Sequence, residues 1–92
     1  MAKAVVTFKL MPEDAEAPYE TIAEKALEIT KAEGAIGEQR SEIEPIAFGL
    51  KCVKVLGMFD VDSSDFEAIS AKLAELEGVS TAEVAKMDLA MG

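Results

Sequence analysis

The sequence predicts an α+β fold: a four-stranded antiparallel sheet with two helices packed on one of its faces. Three observations carry this. Residues 4–11 alternate with the period of two expected of a half-buried strand. Two later segments, one after Pro18 and one after Ser64, repeat apolar residues at helical spacing. Between them, residues 50–61 carry apolar side chains on both faces, as a central strand would.

In the first strand, Val6, Phe8 and Leu10 form one face and Val5, Thr7 and Lys9 the other, and Pro12 ends the pattern. Glu13–Ala17 is a polar connection. Pro18 suits a helix's first turn, where its missing N–H is not needed. Ile22, Ala26 and Ile29 then mark one helical face, with Ala23 and Leu27 beside them, and Gly34 is placed to close the helix. Residues 36–44 are polar and charged and read as an edge strand, where charge discourages pairing with another chain. The central strand sets Val53, Val55 and Phe59 against Leu50, Leu56 and Met58. Ser64-Asp65-Phe66-Glu67 has the form of a capping box, with Ser64 as N-cap. Phe66, Ile69, Leu73 and Leu76 mark the second helix, Gly78 is placed to end it, and residues 79–89 form the last strand. The order β-α-β-β-α-β is that of the ferredoxin-like, split βαβ sandwich, with an expected sheet order of 4-1-3-2. One sheet face stays partly open.

Ninety-two residues make one domain, expected to span residues 1–92, and half of them are hydrophobic. Nine basic against eighteen acidic residues give a net charge of −9. Such a surface suits neither nucleic acid nor an anionic membrane, since phosphate contacts need clustered Lys and Arg. It favours approach to a basic protein surface, steered over a distance that salt limits. Cys52 is the only cysteine, so no intrachain disulfide forms, and its apolar surroundings mark it as a buried thiol. With no secretory or membrane-spanning segment in view, a cytoplasmic location is expected.

Covalent catalysis has little to work with. There is no histidine, so neither a Ser-His-Asp nor a Cys-His nucleophile is possible, and the chain has no P-loop. No enzyme activity, metal or cofactor is expected. Asp60, Asp62, Ser64 and Asp65 resemble the opening of a calcium loop, but Asp65 stands where that loop needs glycine and Ala71 where it needs glutamate. Glu20, Glu24 and Glu28 recur every fourth residue and form an acidic stripe on the first helix, read as a solvated face.

Ile43-Glu44-Pro45-Ile46-Ala47-Phe48-Gly49-Leu50-Lys51 is the most distinctive stretch. A proline that fixes one dihedral and a glycine that permits unusual ones frame two large apolar side chains, Ile46 and Phe48. A rigid loop of this kind either presents Phe48 as a partner-binding knob or folds it back on the core.

Residues 45–51, together with Val5-Val6-Thr7-Phe8-Lys9-Leu10-Met11-Pro12, resemble translation elongation factor 1-beta, in particular the short archaeal form of its guanine-nucleotide exchange domain. The likeness runs over nearly the whole chain and includes the Glu77-Gly78-Val79 segment. It implies a ferredoxin-like domain that binds elongation factor 1-alpha, the GTPase that delivers aminoacyl-tRNA, and accelerates its GDP release. The family's Phe-Gly loop and C-terminal end face the GTPase. By that resemblance the partner-binding residues are Pro45, Ile46, Phe48, Gly49, Lys51 and Lys86, with Phe48 an apolar anchor and Lys51 its polar neighbour. The family's eukaryotic members carry a lysine near the C-terminus that disturbs the GTPase's magnesium and phosphate site. An ungapped match places Leu89 there, so Lys86 substitutes only if the strand or tail shifts. The turn at Asp62-Ser63-Ser64-Asp65 also lacks the family's glycine. The resemblance implies a chain that is monomeric alone. The rival expectation is a ferredoxin-like regulatory module that binds a small molecule as a homodimer.

Overall fold

The computed structural model describes residues 3–89. The elements follow the predicted order: β1 (Lys3–Pro12), α1 (Tyr19–Ala32), β2 (Ile36–Pro45), a short 3₁₀-like turn (Ala47–Gly49), β3 (Lys51–Asp60), α2 (Phe66–Ala74) and β4 (Val79–Leu89). The strands form one antiparallel sheet in the order β2-β3-β1-β4, as the sequence predicts. β2 and β4 are therefore the edges, and the two strands richest in apolar residues are central.

Alternation along the strands sends Ala4, Val6, Phe8, Leu10, Val53, Val55 and Phe59 to the helix-covered face. Ile22, Ala23 and Ala26 of α1 and Ile69 and Leu73 of α2 close on them. Phe8 and Phe59 meet edge to face with centroids 5.9 Å apart, and Phe59 meets Phe66 the same way at 5.7 Å. These geometries suit the ring quadrupoles and fix the central strands against α2. Cys52 is buried as expected, but outside that core: its register opposite Glu44 puts it with Lys54 and Leu56 on the far side of β3.

Three local readings are corrected. Pro18 is the N-cap of α1 rather than a first-turn residue, with its carbonyl accepting from Ile22 N–H at 2.9 Å. Asp65, not Ser64, caps α2: its Oδ1 accepts from Ala68 N–H at 3.1 Å. A carboxylate there also complements the helix dipole, which a serine hydroxyl does not. α2 stops at Ala74, four residues before Gly78, whose φ of +89° belongs instead to the turn into β4. Within α1, Thr30 is fully buried and its hydroxyl donates to Leu27 O at 3.0 Å. Gly34 does close α1: its N–H reaches Lys31 O and the next N–H, from Ala35, reaches Thr30 O, the Schellman pattern.

Candidate functional site

Pro45 is the last residue of β2 and stands opposite Lys51, the first of β3, so the expected loop is a tight hairpin tip of five residues. Ile46 N–H donates to Leu50 O at 2.8 Å, and Leu50 N–H donates to Ala47 O at 3.2 Å. Phe48 and Gly49, at the centre of that last turn, have φ of +61° and +73°. Two successive positive φ values are the mark of the turns whose twist matches antiparallel strands. Asn-Gly is the usual pair for such a turn; here the first position is phenylalanine, an aromatic residue that rarely adopts this conformation.

The Phe48 side chain is 98% exposed. Of the chain's four phenylalanines, three stack in the core and only this one faces solvent. The structure thereby decides between the two shapes open to the loop: it forms a knob. Ile46 and Leu50 flank it half-buried, and Gly49 has open space where a Cβ would sit, so conformation rather than crowding requires the glycine. A bulky residue held in left-handed geometry, with nothing of its own chain to pack against, is an observed strain of the kind that clusters at functional sites.

Lys51 starts β3 on the helix side, and Tyr19 of α1 lies beneath it. The Lys51 ammonium is 5.8 Å from the Tyr19 ring centroid, and the Lys51 N–H donates to the Tyr19 hydroxyl at 3.3 Å. Pro18, Tyr19, Glu20, Thr21, Ile43 and Lys51 line an open cleft of about 360 Å³ beside the hairpin. Sequence reading missed Tyr19, because its partner lies 32 residues away and no local pattern joins them.

On the open sheet face, register places Glu42, Lys54, Lys9 and Glu83 in one row across all four strands. The two lysines face each other directly, an arrangement that repels, and the outer glutamates offset it. Lys54 also pairs with Glu44 at 2.5 Å. That hydrogen bond, then the lysine's charge, holds the Glu44 carboxyl below the usual range. The same bond raises the Lys54 ammonium above its ordinary value. Higher on this face, Val5, Ile36, Leu56 and Met58 form an apolar hollow rimmed by Glu38 and Arg40.

The hairpin brings Pro45, Ile46, Phe48, Gly49 and Lys51 together. Lys86 is not among them. It stands opposite Thr7, which stands opposite Leu56, and so lies roughly 17 Å down the sheet from Lys51 at the rise of an extended strand. Its Nζ is 3.5 Å from Asp88, and both groups are exposed. A bulge between Val84 and Lys86 interrupts the β1–β4 ladder, but from Lys86 to Leu89 the register is continuous and ends with Leu89 opposite Ala4, so the described strand does not carry Lys86 to the Leu89 position. Asp60 and Asp62, considered for calcium, form a side-chain turn in which Asp62 N–H donates to Asp60 Oδ1 at 3.0 Å. No helix among the described residues is long and apolar enough to cross a membrane.

Residues 5–89 match the family model of the EF-1 guanine nucleotide exchange domain. Curated archaeal proteins named elongation factor 1-beta align with nearly the full chain. The protein of Methanosphaerula palustris is 32% identical over 89 residues, covering 97% of this chain and 99% of its own. That of Staphylothermus marinus is 37% identical over 86 residues, covering 91% and 92%. That of Pyrococcus abyssi is 37% identical over 82 residues, covering 87% of each.

Proposed function

The chain belongs to the family of EF-1 guanine nucleotide exchange domains and so has a nucleotide-exchange role in translation elongation; from that premise we propose that it binds elongation factor 1-alpha and promotes release of its GDP. The observation that carries the reading is Phe48, fully solvated at a strained φ on the tip of a tight hairpin. Exchange needs no covalent chemistry. A factor that binds the nucleotide-free GTPase more tightly than the GDP form must weaken GDP binding by the same ratio. Each ~1.4 kcal/mol of that difference is a factor of ten.

In this reading Phe48 anchors in an apolar pocket of the GTPase, with Pro45, Ile46 and Gly49 setting the knob's shape and Lys51 making a polar contact at its base. Lys86 makes a second contact from the other half of the sheet. A partner larger than this domain would reach both. At the GTPase, loss of magnesium uncovers phosphate charge and favours departure of the nucleotide; with Leu89 opposite Ala4, Lys86 reaches that site only if docking shifts the end of β4. The protein works as a monomer on a cytoplasmic partner and is not itself an enzyme.

The test is the affinity of the chain for its cognate GTPase in nucleotide-free and GDP-bound states, by titration calorimetry. The expected result is at least tenfold tighter binding to the nucleotide-free form. Equal affinity for the two states would exclude exchange by this route.

A further inference from the structure

Resting on the exchange reading above, we propose that Tyr19 is a positioning residue for the Phe48 knob, a latch that ties the base of the hairpin to the start of α1. The hairpin tip has few ties of its own. Beyond the Pro45–Lys51 pair its backbone bonds are internal, Ile46 to Leu50 and Leu50 to Ala47. The ladder between β1 and β3 stops at Leu10 opposite Val53, two residues before Lys51 is reached. Next to the bonded Ile46–Leu50 pair, Pro45 and Lys51 form a non-hydrogen-bonded pair, so the Lys51 N–H points away from β2. The strand pairing therefore thins out where the knob begins.

Tyr19 supplies what the ladder does not. Its hydroxyl accepts the Lys51 N–H at 3.3 Å and donates to Ala15 O at 3.2 Å, with Asp14 O at 3.4 Å as a further acceptor. One oxygen thus joins β3 to the loop between β1 and α1. The ring below holds the Lys51 side chain by its face at 5.8 Å. Tyr19 is itself seated against the core, so the latch has a fixed anchor. Phe48 follows the orientation of this base, because Lys51 is three residues away along a turn whose own hydrogen bonds make it rigid. The latch keeps the knob from sampling other angles, and a knob held in its binding orientation loses less freedom on docking.

Tyr19→Phe is the decisive variant, because it keeps the ring and removes only the hydroxyl. The exposed Lys51 N–H then finds water, so the melting temperature should stay within a few degrees. Loss of one positioning hydrogen bond should raise the half-saturating concentration in GDP release about fivefold, with the rate at saturation unchanged. Because Tyr19 acts through Phe48, the same change in a Phe48→Ala background should have no further effect. In the free protein, amide hydrogen exchange at Ile46 and Leu50 should speed up while the amides of central β3 stay protected.

A Tyr19→Phe protein with wild-type half-saturation, or with unchanged Ile46 and Leu50 exchange, would overturn the proposal. So would an equal loss in the Phe48→Ala background, which would make Tyr19 an independent contact. If the wild type fails to release GDP at all, the exchange reading falls, and the amide measurement still decides whether Tyr19 latches the hairpin.

Discussion

Replacing Phe48 with asparagine should move stability and binding in opposite directions. Phe48 occupies φ +61°, ψ +33° with its side chain 98% exposed. Left-handed geometry costs a residue with a Cβ about 1–2 kcal/mol, and asparagine tolerates it best among the non-glycine residues. The side chain makes no packing in the free protein that the change could remove. Phe48→Asn should therefore leave the melting temperature level or raise it, by roughly 4–8 °C for each 1 kcal/mol of strain relieved. Binding should suffer. An aromatic side chain buries about 150–200 Å² when it docks, and ~25 cal/mol per Å² sets a ceiling near 4–5 kcal/mol. Ordering and desolvation take part of that, and measured interface anchors give about 2 kcal/mol or more, roughly a thirtyfold loss of affinity. Thermal melts followed by circular dichroism and a titration against the cognate GTPase read the two effects separately. A lower melting temperature with unchanged affinity would refute the reasoning, because it would mean that Phe48 packs on its own chain and not on a partner.

Three further outcomes follow from the packing and the charges. Gly78→Ala should destabilise by about 2–4 kcal/mol, since φ is +89° and the new Cβ would come within 3.1 Å of the Pro18 ring and 3.3 Å of Ile22; urea unfolding within error of wild type would contradict it. Ser70 Oγ is, among the described residues, the buried side-chain polar atom left without a hydrogen bond, so Ser70→Ala in α2 should stabilise by up to about 1 kcal/mol, read as a higher melting temperature. Glu44 has its carboxyl depressed by Lys54, so its stabilisation is present at neutral pH and is lost as the pH falls through its folded value; the stability gap between wild type and Glu44→Gln should close in acid, and a gap independent of pH would show that the pair does not contribute.

The element order and sheet order were legible because they rest on periodicity. Val6, Phe8 and Leu10 alternate, Ile22 and Ala26 repeat at four, and the apolar run of β3 must be central. The charges of β2 marked an edge for the same reason. What the sequence left open was set by contacts between distant residues. Gly78 looked like a helix stop, yet it packs under Pro18 and Ile22, sixty and fifty-six residues earlier. Ser64 and Asp65 are both good caps, and only the helix's actual start separates them. The distinctive stretch from Ile43 to Lys51 pointed to the hairpin, but its residue types fitted either a knob or a core-facing loop. The choice came from the backbone: positive φ at Phe48 and Gly49 makes a tight turn on which the Phe48 ring stands exposed. Lys86, joined to the hairpin residues only by resemblance, proved to lie elsewhere on the sheet.

The central claim is tested most directly by release of a fluorescent GDP analogue from the cognate elongation factor 1-alpha, in the presence of magnesium, as this protein is titrated in. The account predicts a large, saturable acceleration that Phe48→Asn shifts to higher concentration. No acceleration, with the GTPase shown to bind and release nucleotide normally on its own, would contradict it.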